Sequence, residues 1–410
     1  MAEPVTADNG ALSGRMQFAA GITSVLIAAL IIATFAYVRG SGIVHEGPVP
    51  GAASSSRLPT PAVTPSPVSE SARQAVNGWV VDADLAGAST GWVLLSNCIQ
   101  PMTGQCRYFV ARTGDGGGTW SKAVQVGPLF DPTDGDAPRH VHFINAQDGF
   151  VYGGVVAYST HDAGLTWTSV NVNQTFISAM AGLGQQAWLI TYPCAKGSSC
   201  PYEVRSSSNA GRTWSSPHSL PPSFSPFDAV AFGRAGLLIS NQSVGDLQLT
   251  QDGGATWRVV KTQCTGNNFI AKVATSDGNE LWELCIDYPD VSGSNISHTV
   301  VFVSEDGGQT WPRRGTSQVS GQQAASRYLL VLAASRPGTA VTATNQSTIA
   351  TTQDAGRTWT DVGPAGIGFM TLRFANADDG WALDVYQNIW STHDGGATWQ
   401  QLPGVATLKP

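Results

Sequence analysis

The chain has 410 residues, enough for two or three ordinary domains or for one large repeat ring. Hydrophobic residues make up 42% and the formal net charge is -7, with only 22 Lys and Arg in total. No basic run of useful length is present, which disfavours a nucleic-acid partner, because phosphate binding needs clustered Lys and Arg.

The first element is Phe18 to Val38, 21 residues without a charge, bracketed by Arg15 and Arg39. At 1.5 Å per residue this stretch is long enough to cross the hydrocarbon layer of a membrane. It is longer than a usual signal-peptide core, and no clear small-x-small cleavage site follows it. The expectation is an uncleaved transmembrane helix at 18–38, with 1–17 as a short cytoplasmic segment. Residues 39–73 carry Pro48, Pro50, Pro59, Pro61, Pro65 and Pro67 among Ser, Ala, Thr and Gly. Such a segment lacks the apolar surface to fold and reads as a partly extended tether. One basic residue stands close on each side of the apolar stretch, so charge is silent on orientation. The cysteines argue that the long C-terminal part lies outside the cytoplasm.

From residue 74 to 410 one pattern recurs seven times. It reads TGDGGGTW, THDAGLTW, SSNAGRTW, TQDGGATW, SEDGGQTW, TQDAGRTW and THDGGATW. Each copy ends in a tryptophan: Trp120, Trp167, Trp214, Trp257, Trp311, Trp359 and Trp399, separated by 47, 47, 43, 54, 48 and 40 residues. The third position is Asp115, Asp162, Asn209, Asp252, Asp306, Asp354 or Asp394. The Asp-x-Gly core predicts a tight turn between two strands, where Gly supplies the positive φ and Asp, or Asn209, accepts hydrogen bonds from turn amides. A second element, Gly or a small residue followed by an apolar or aromatic run, precedes each box, as in STGWVLL, QDGFVYG and DDGWALD. An apolar run such as HVHFI or FMTLRF lies before that. Four short strands per unit follow. Seven such units at this period predict an all-β fold, a seven-bladed β-propeller of four-stranded blades preceded by one N-terminal transmembrane helix. Ring closure would bring the first unit, near Gln74, to the last, near Leu402.

The six cysteines fall as local pairs: Cys98 with Cys106, Cys194 with Cys200, and Cys264 with Cys285. The first two pairs occupy equivalent loops of units one and three, which favours disulfides that staple long loops. Metal ligation is the rival, but paired CxxC spacing is missing and no histidines accompany the cysteines.

The seven boxes of form Ser/Thr-x-Asp-x-Gly-x-Thr-Trp resemble the Asp-box, or bacterial neuraminidase repeat. The Gly-Trp element followed by T-x-DGG-x-TW is similar to that of Ycf48-like photosystem II assembly and stability factors, and the box is shared with the sialidase superfamily propeller. The resemblance spans Gln74 to Leu402. It implies a propeller whose box side chains form peripheral turns and take no part in catalysis. A sialidase would further need an arginine triad, a tyrosine nucleophile paired with a glutamate, and an aspartate acid/base. The Arg-Ile-Pro signature expected ahead of the first box is absent here, and sialidases resemble six-bladed rings.

Ligand-binding propellers use the central face, so first-strand residues are the candidates. Aligning the units on the Gly-aromatic element places Asp84, His142, Met180, Ala231, Ala274, Val331 and Arg373 in one column. Arg139, Arg327 and Arg373, with His142, form a candidate anion or ligand site; solvated or acid-paired rim arginines are the alternative. Asp82, Asp84, Glu283 and Asp384 are candidate carboxylates for glycoside hydrolysis, which needs two of them flanking one bond. The functional expectation is a membrane-anchored extracytoplasmic propeller that binds or assembles a protein or glycan partner at the membrane surface, without catalysis, cofactor or metal. A sialidase-like exo-glycoside hydrolase is the alternative reading, and oligomeric state is left open.

Overall fold

The computed structural model describes residues 79–98, 106–131, 136–173, 175–193, 200–241, 246–262, 264, 271–276, 279–287, 298–318, 330–344, 349–364 and 367–403. They lie within a compact unit from Pro67 to Pro410. Residues 18–38, expected to cross a membrane, lie outside the described residues. Among the described residues no helix is long and apolar enough to cross one.

The described strands form seven four-stranded antiparallel sheets, each built from four consecutive strands. This is a seven-bladed β-propeller. The first strands are Trp79–Leu85, His140–Phe143, Phe176–Leu183, Pro226–Phe232, Ala271–Thr275, Leu330–Arg336 and Phe369–Phe374. Each neighbours the first strand of the next blade, and that of blade 7 returns to that of blade 1, so they form the inner ring. The outermost strands of blades 2, 3 and 6 are short: Thr168–Ser169, His218–Ser219 and Thr360–Asp361 hold two residues each, all exposed, whereas Val124–Phe130 of blade 1 and Arg313–Gln318 of blade 5 hold seven and six. Short polar outer strands blunt the free edge that those three sheets present to solvent.

The second strands explain the apolar runs. Gly91–Ser96, Gly149–Gly153, Gly236–Asn241 and Gly380–Asp384 are buried at every position. A strand covered by a neighbouring blade on both faces reads as continuous hydrophobic sequence rather than as an alternation.

Each box builds the same hydrogen-bonded turn. In blade 1, Thr113 Oγ1 donates to Asp115 Oδ1 at 2.7 Å, and the Gly117 N–H donates to Thr113 Oγ1 at 2.9 Å. The Thr119 N–H and Oγ1 donate to the two oxygens of Asp115 at 2.8 and 2.6 Å. Blade 3 repeats the set with Asn209 accepting from Ser207 and from the Thr213 N–H, while its Nδ2 donates to Thr213 Oγ1 at 2.9 Å. The turn needs two consecutive positive-φ residues. In blades 2, 3 and 6 the first of these is Ala163, Ala210 or Ala355, with φ near 60°. The expectation that glycine supplies the positive φ therefore holds for the second position, and alanine also serves at the first.

The turn of one blade packs on the second strand of the blade before it. Trp92 of blade 1 stacks on Phe143 of blade 2 with ring centroids 3.5 Å apart, and its Nε1 donates to the Ala163 carbonyl in the blade 2 turn at 2.9 Å. Gly211 of blade 3 lies against the Phe150 ring of blade 2, where an added Cβ would come within 2.6 Å. Gly254 of blade 4 faces Trp188 of blade 3, and Gly356 of blade 6 faces Trp282 of blade 5. Around the closure, Gly117 and Trp120 of blade 1 meet Leu402 and Trp381 of blade 7. Trp381, Leu383 and Ile389 share one apolar cluster with Val80, Leu85, Val93 and Leu95. The ring thus closes with no strand exchanged between blades 1 and 7 among the described residues.

Cys98–Cys106 and Cys264–Cys285 are disulfides, and Cys200 is also disulfide-bonded. Cys194 lies outside the described residues.

Trp188, fully buried between blades, loses about 3–5 kcal/mol of stability on replacement by alanine, read from denaturant unfolding. Leu165, 65% exposed in the blade 2 turn, changes stability by less than ~0.5 kcal/mol on the same replacement. Acid provides a second test. Hydrogen bonds from Thr119 and from Thr256 hold the Asp115 and Asp252 carboxyls down at about 2, against an ordinary 3.8. Because the folded values are depressed, the stabilisation is complete above pH ~4 and is lost as pH falls from there toward 2. Asp115→Asn and Asp252→Asn, each imitating the asparagine natural to blade 3, make acid unfolding less steep in that window.

Candidate functional site

The innermost strands of blades 7, 1 and 2 bring together the densest group of ionisable side chains described. Asp82 and Asp84 stand two residues apart on the first strand of blade 1 and so face the same side. That side meets the first strand of blade 2, which pairs with its own second strand along one edge only. The carboxylates satisfy the free edge. Asp82 Oδ2 accepts the Val141 N–H at 3.1 Å, and Asp84 Oδ2 accepts the Phe143 N–H at 2.7 Å. Each also accepts the N–H of its own successor: Ala83 at 2.9 Å and Leu85 at 3.0 Å. Asp228 of blade 4 repeats the arrangement, accepting the Val273 N–H of blade 5 at 3.2 Å, with Lys272 Nζ at 3.7 Å.

Arg373 enters from blade 7. Its Nη2 lies 3.2 Å from Asp82 Oδ2 and its Nε 3.7 Å from Asp84 Oδ1. Thr371 Oγ1, on the same strand, donates to Asp82 Oδ1 at 3.4 Å. His142 Nδ1 sits 3.0 Å from Asp84 Oδ2, and His140 Nδ1 sits 3.6 Å from Asp82 Oδ2. Burial works to raise the Asp82 carboxyl, but Arg373, His140 and the Val141 N–H outweigh it and hold it below the ordinary value. Burial likewise works against the Arg373 charge, and Asp82 and Asp84 overcome it, so the guanidinium is held more firmly protonated than usual. Burial pushes the Tyr152 phenol, beside this group, up to about 12. His142 Nε2 is buried without a hydrogen-bond partner.

Arg139 is exposed at the residue before the blade 2 first strand, and its N–H donates to the Tyr152 carbonyl at 2.9 Å. Arg327 lies outside the described residues. Of the proposed anion-site residues, the structure therefore brings His142 and Arg373 together, both on Asp84. The column also changes. The residue opposite each box start, counted one further along the second strand, pairs with Asp84, His142, Ala181, Val230, Ala274, Ala333 and Arg373. Met180, Ala231 and Val331 are displaced from it. The first hairpins differ in length, with five residues between Leu85 and Gly91 and two between Leu183 and Gln186, so a fixed count from the Gly-aromatic element slips.

The other carboxylates have separate settings. Asp384 organises its turn, accepting from the Tyr386 and Asn388 N–H groups at 2.8 Å each and from Trp390 Nε1 at 3.0 Å. Glu283 is fully buried in blade 5, with Thr262 Oγ1 donating to it and Cys264 Sγ 3.3 Å away. Sequence reasoning missed Asp228 and Thr371. A lone acid or hydroxyl on an apolar strand carries no signal until the neighbouring strand edge is in place.

No known family's sequence profile matches the chain, and no curated protein matches it. Solved structures do. YCF48 bound to a D1 peptide is 19% identical, covering 66% of this chain and 82% of that one, with a TM-score of 0.46. An ancestral GH74 enzyme is 13% identical over 82% of this chain and 49% of its own, with a TM-score of 0.51. The acylaminoacyl peptidase of Pyrococcus horikoshii is 10% identical over 80% of this chain and 52% of its own, also at 0.51. The chain thus spans about half the length of these two enzymes. At such identities the likeness is one of fold, and the fold is common to proteins of unlike activity.

Arg373→Met removes the cation shared by two buried carboxylates. It lowers stability by about 3 kcal/mol in denaturant unfolding. A double-mutant cycle with Asp82→Asn gives a coupling above ~1 kcal/mol, since the two side chains are in direct contact.

Proposed function

We propose that the chain is a membrane-anchored, extracytoplasmic propeller that works as a non-catalytic binding or assembly module for a protein or glycan partner. Residues 18–38 supply the anchor, 39–73 the tether, and the boxes belong to the Asp-box class that the sequence resembles. The observation that carries the reading is the commitment of the inner-ring acids. Asp82 and Asp84 each hold backbone N–H groups of two strands as well as Arg373, so neither is placed as a free acid or nucleophile. Sialidase-like chemistry asks for three arginines on a substrate carboxylate. Arg373 is already neutralised, and the Tyr152 phenol is raised by burial away from its nucleophilic form.

A contact surface is available at the sheet ends opposite the boxes. Phe176, 52% exposed, begins the blade 3 first strand and pairs with Tyr192, whose ring lies 4.9 Å from that of Tyr202. Tyr386, 56% exposed, tips the turn between the second and third strands of blade 7, and Trp79 and Leu129 are exposed at the corresponding ends of blade 1. Aromatic side chains of this kind anchor protein and glycan contacts with little loss of side-chain entropy.

Affinity capture of the full chain from its native membrane, with crosslinking and mass spectrometry, tests the proposal. A stoichiometric partner is expected, lost with Phe176→Asp or Tyr386→Asp and kept with Leu165→Asp on the opposite, box-bearing side. Turnover of glycans or sialosides by the folded chain, with no partner captured, would replace this reading by the hydrolase.

A further inference from the structure

The blade 4–blade 5 boundary holds a second chemical cluster, independent of the inner ring. Glu283 and Cys285 lie two residues apart on the second strand of blade 5, so both side chains project from the same face. Cys264, between the outer strand of blade 4 and the first strand of blade 5, meets them there. The two sulfurs and a Glu283 carboxylate oxygen all lie within 4.8 Å of one another, and all three residues are buried. Cys264 Sγ is 3.3 Å from Glu283 Oε1, and the Thr262 hydroxyl donates to the same oxygen. Val300 and Phe302 pack over the cysteines.

A disulfide staple does not require a carboxylate beside it. The Cys98–Cys106 bridge gathers no third His, Cys, Asp or Glu donor among the described residues. What two sulfurs and one carboxylate do match is a thiophilic divalent cation. Zinc takes sulfur at about 2.3 Å and carboxylate oxygen at about 2.1 Å, which spaces donors on one ion by roughly 3.5–4 Å. The Cα atoms of Cys264 and Cys285 are 5.4 Å apart. Once the sulfur–sulfur bond is broken, side-chain rotation can open the two sulfurs to that spacing. Thr262 orients the carboxylate as an outer-shell partner.

We propose that Cys264, Cys285 and Glu283 form a redox-gated site for Zn²⁺, in which disulfide and metal are alternative occupants. A phosphine or dithiol reductant supplies two electrons, solvent supplies two protons, and the disulfide becomes two thiols. Zn²⁺ then forms two Zn–S bonds and one Zn–O bond, releasing both thiol protons and leaving a fourth position for a neutral oxygen donor. A small-molecule disulfide takes two electrons from the thiolates and, with two protons from solvent, leaves as two thiols, while the Sγ–Sγ bond re-forms and the ion is expelled. Either occupant ties the segment ahead of the first strand of blade 5 to that blade's second strand, so the staple survives reduction wherever zinc is present.

The test uses the full-length chain, reduced with a phosphine and titrated with Co²⁺ and then Zn²⁺. The expected result is one equivalent of Co²⁺ with sulfur-to-cobalt charge-transfer absorption, displaced by Zn²⁺, and no such band in the oxidised chain. Glu283→Gln, which leaves both thiols in place, weakens binding at least ~10-fold, the loss typical even of an outer-shell partner. Cys264→Ser abolishes the band, whereas Cys98→Ser/Cys106→Ser keeps it. A band that survives Cys264→Ser, or equal affinity in Glu283→Gln, overturns the proposal. So does a reduced chain that unfolds and does not regain its native circular dichroism on adding Zn²⁺.

Discussion

The contact on which this ring depends is the seating of each box turn against the second strand of the preceding blade. It joins the two repeated sequence elements, which are remote in the chain, into one interface. The box presents a compact turn with a glycine on its packing side, and the preceding blade's second strand presents a bulky apolar side chain, an aromatic ring in blades 1, 2, 3 and 5 and Val341 in blade 6. Trp92 with Ala163 and Gly164, Phe150 with Gly211, and Trp188 with Gly254 are three instances of this contact. The hydrogen bonds within the turn, centred on Asp115 and its equivalents, make it rigid enough to serve as a packing surface. A side chain larger than hydrogen at Gly211 would meet the Phe150 ring, so this repeat tolerates little variation where the blades touch.

The inner ring poses a different problem. Every first strand has one edge paired within its blade and one edge turned toward its neighbour, where no ladder forms. Buried N–H groups on that edge need acceptors. Asp82 and Asp84 supply them between blades 1 and 2, and Asp228 does so between blades 4 and 5. Arg373 then balances the two charges of blade 1 from blade 7. The same side chains thus connect three consecutive blades across the point where the chain closes on itself. Because no strand is exchanged there among the described residues, closure rests on this group and on the apolar cluster around Trp381.

The group that looks most like an active site is therefore occupied in holding the ring. Two acids, two histidines, an arginine and a tyrosine lie close together, yet both acids are engaged with backbone N–H groups. The exposed aromatic residues lie elsewhere, at the sheet ends away from the boxes. The binding surface proposed there draws on a rigid scaffold without competing with the groups that hold it.

The architecture was legible because its determinants are local and repeated. A Thr-x-Asp-x-Gly-x-Thr turn satisfies itself within eight residues, and seven copies at a near-constant period leave little freedom in blade number. The cysteine pairs at Cys98–Cys106 and Cys264–Cys285 were legible for the same reason: short spacing within or beside one blade. The alignment of the first strands was not, because hairpins of unequal length shift Ala181, Val230 and Ala333 into places that a fixed count assigns to their neighbours. Nor could sequence say that Arg373 answers Asp82 across 291 residues, or that Glu283 faces a disulfide. Periodicity by itself determined the fold, since each blade is coded in one continuous stretch. Only the tertiary structure decided which charges meet, because those partners are brought together by closing the ring and by no pattern along the chain.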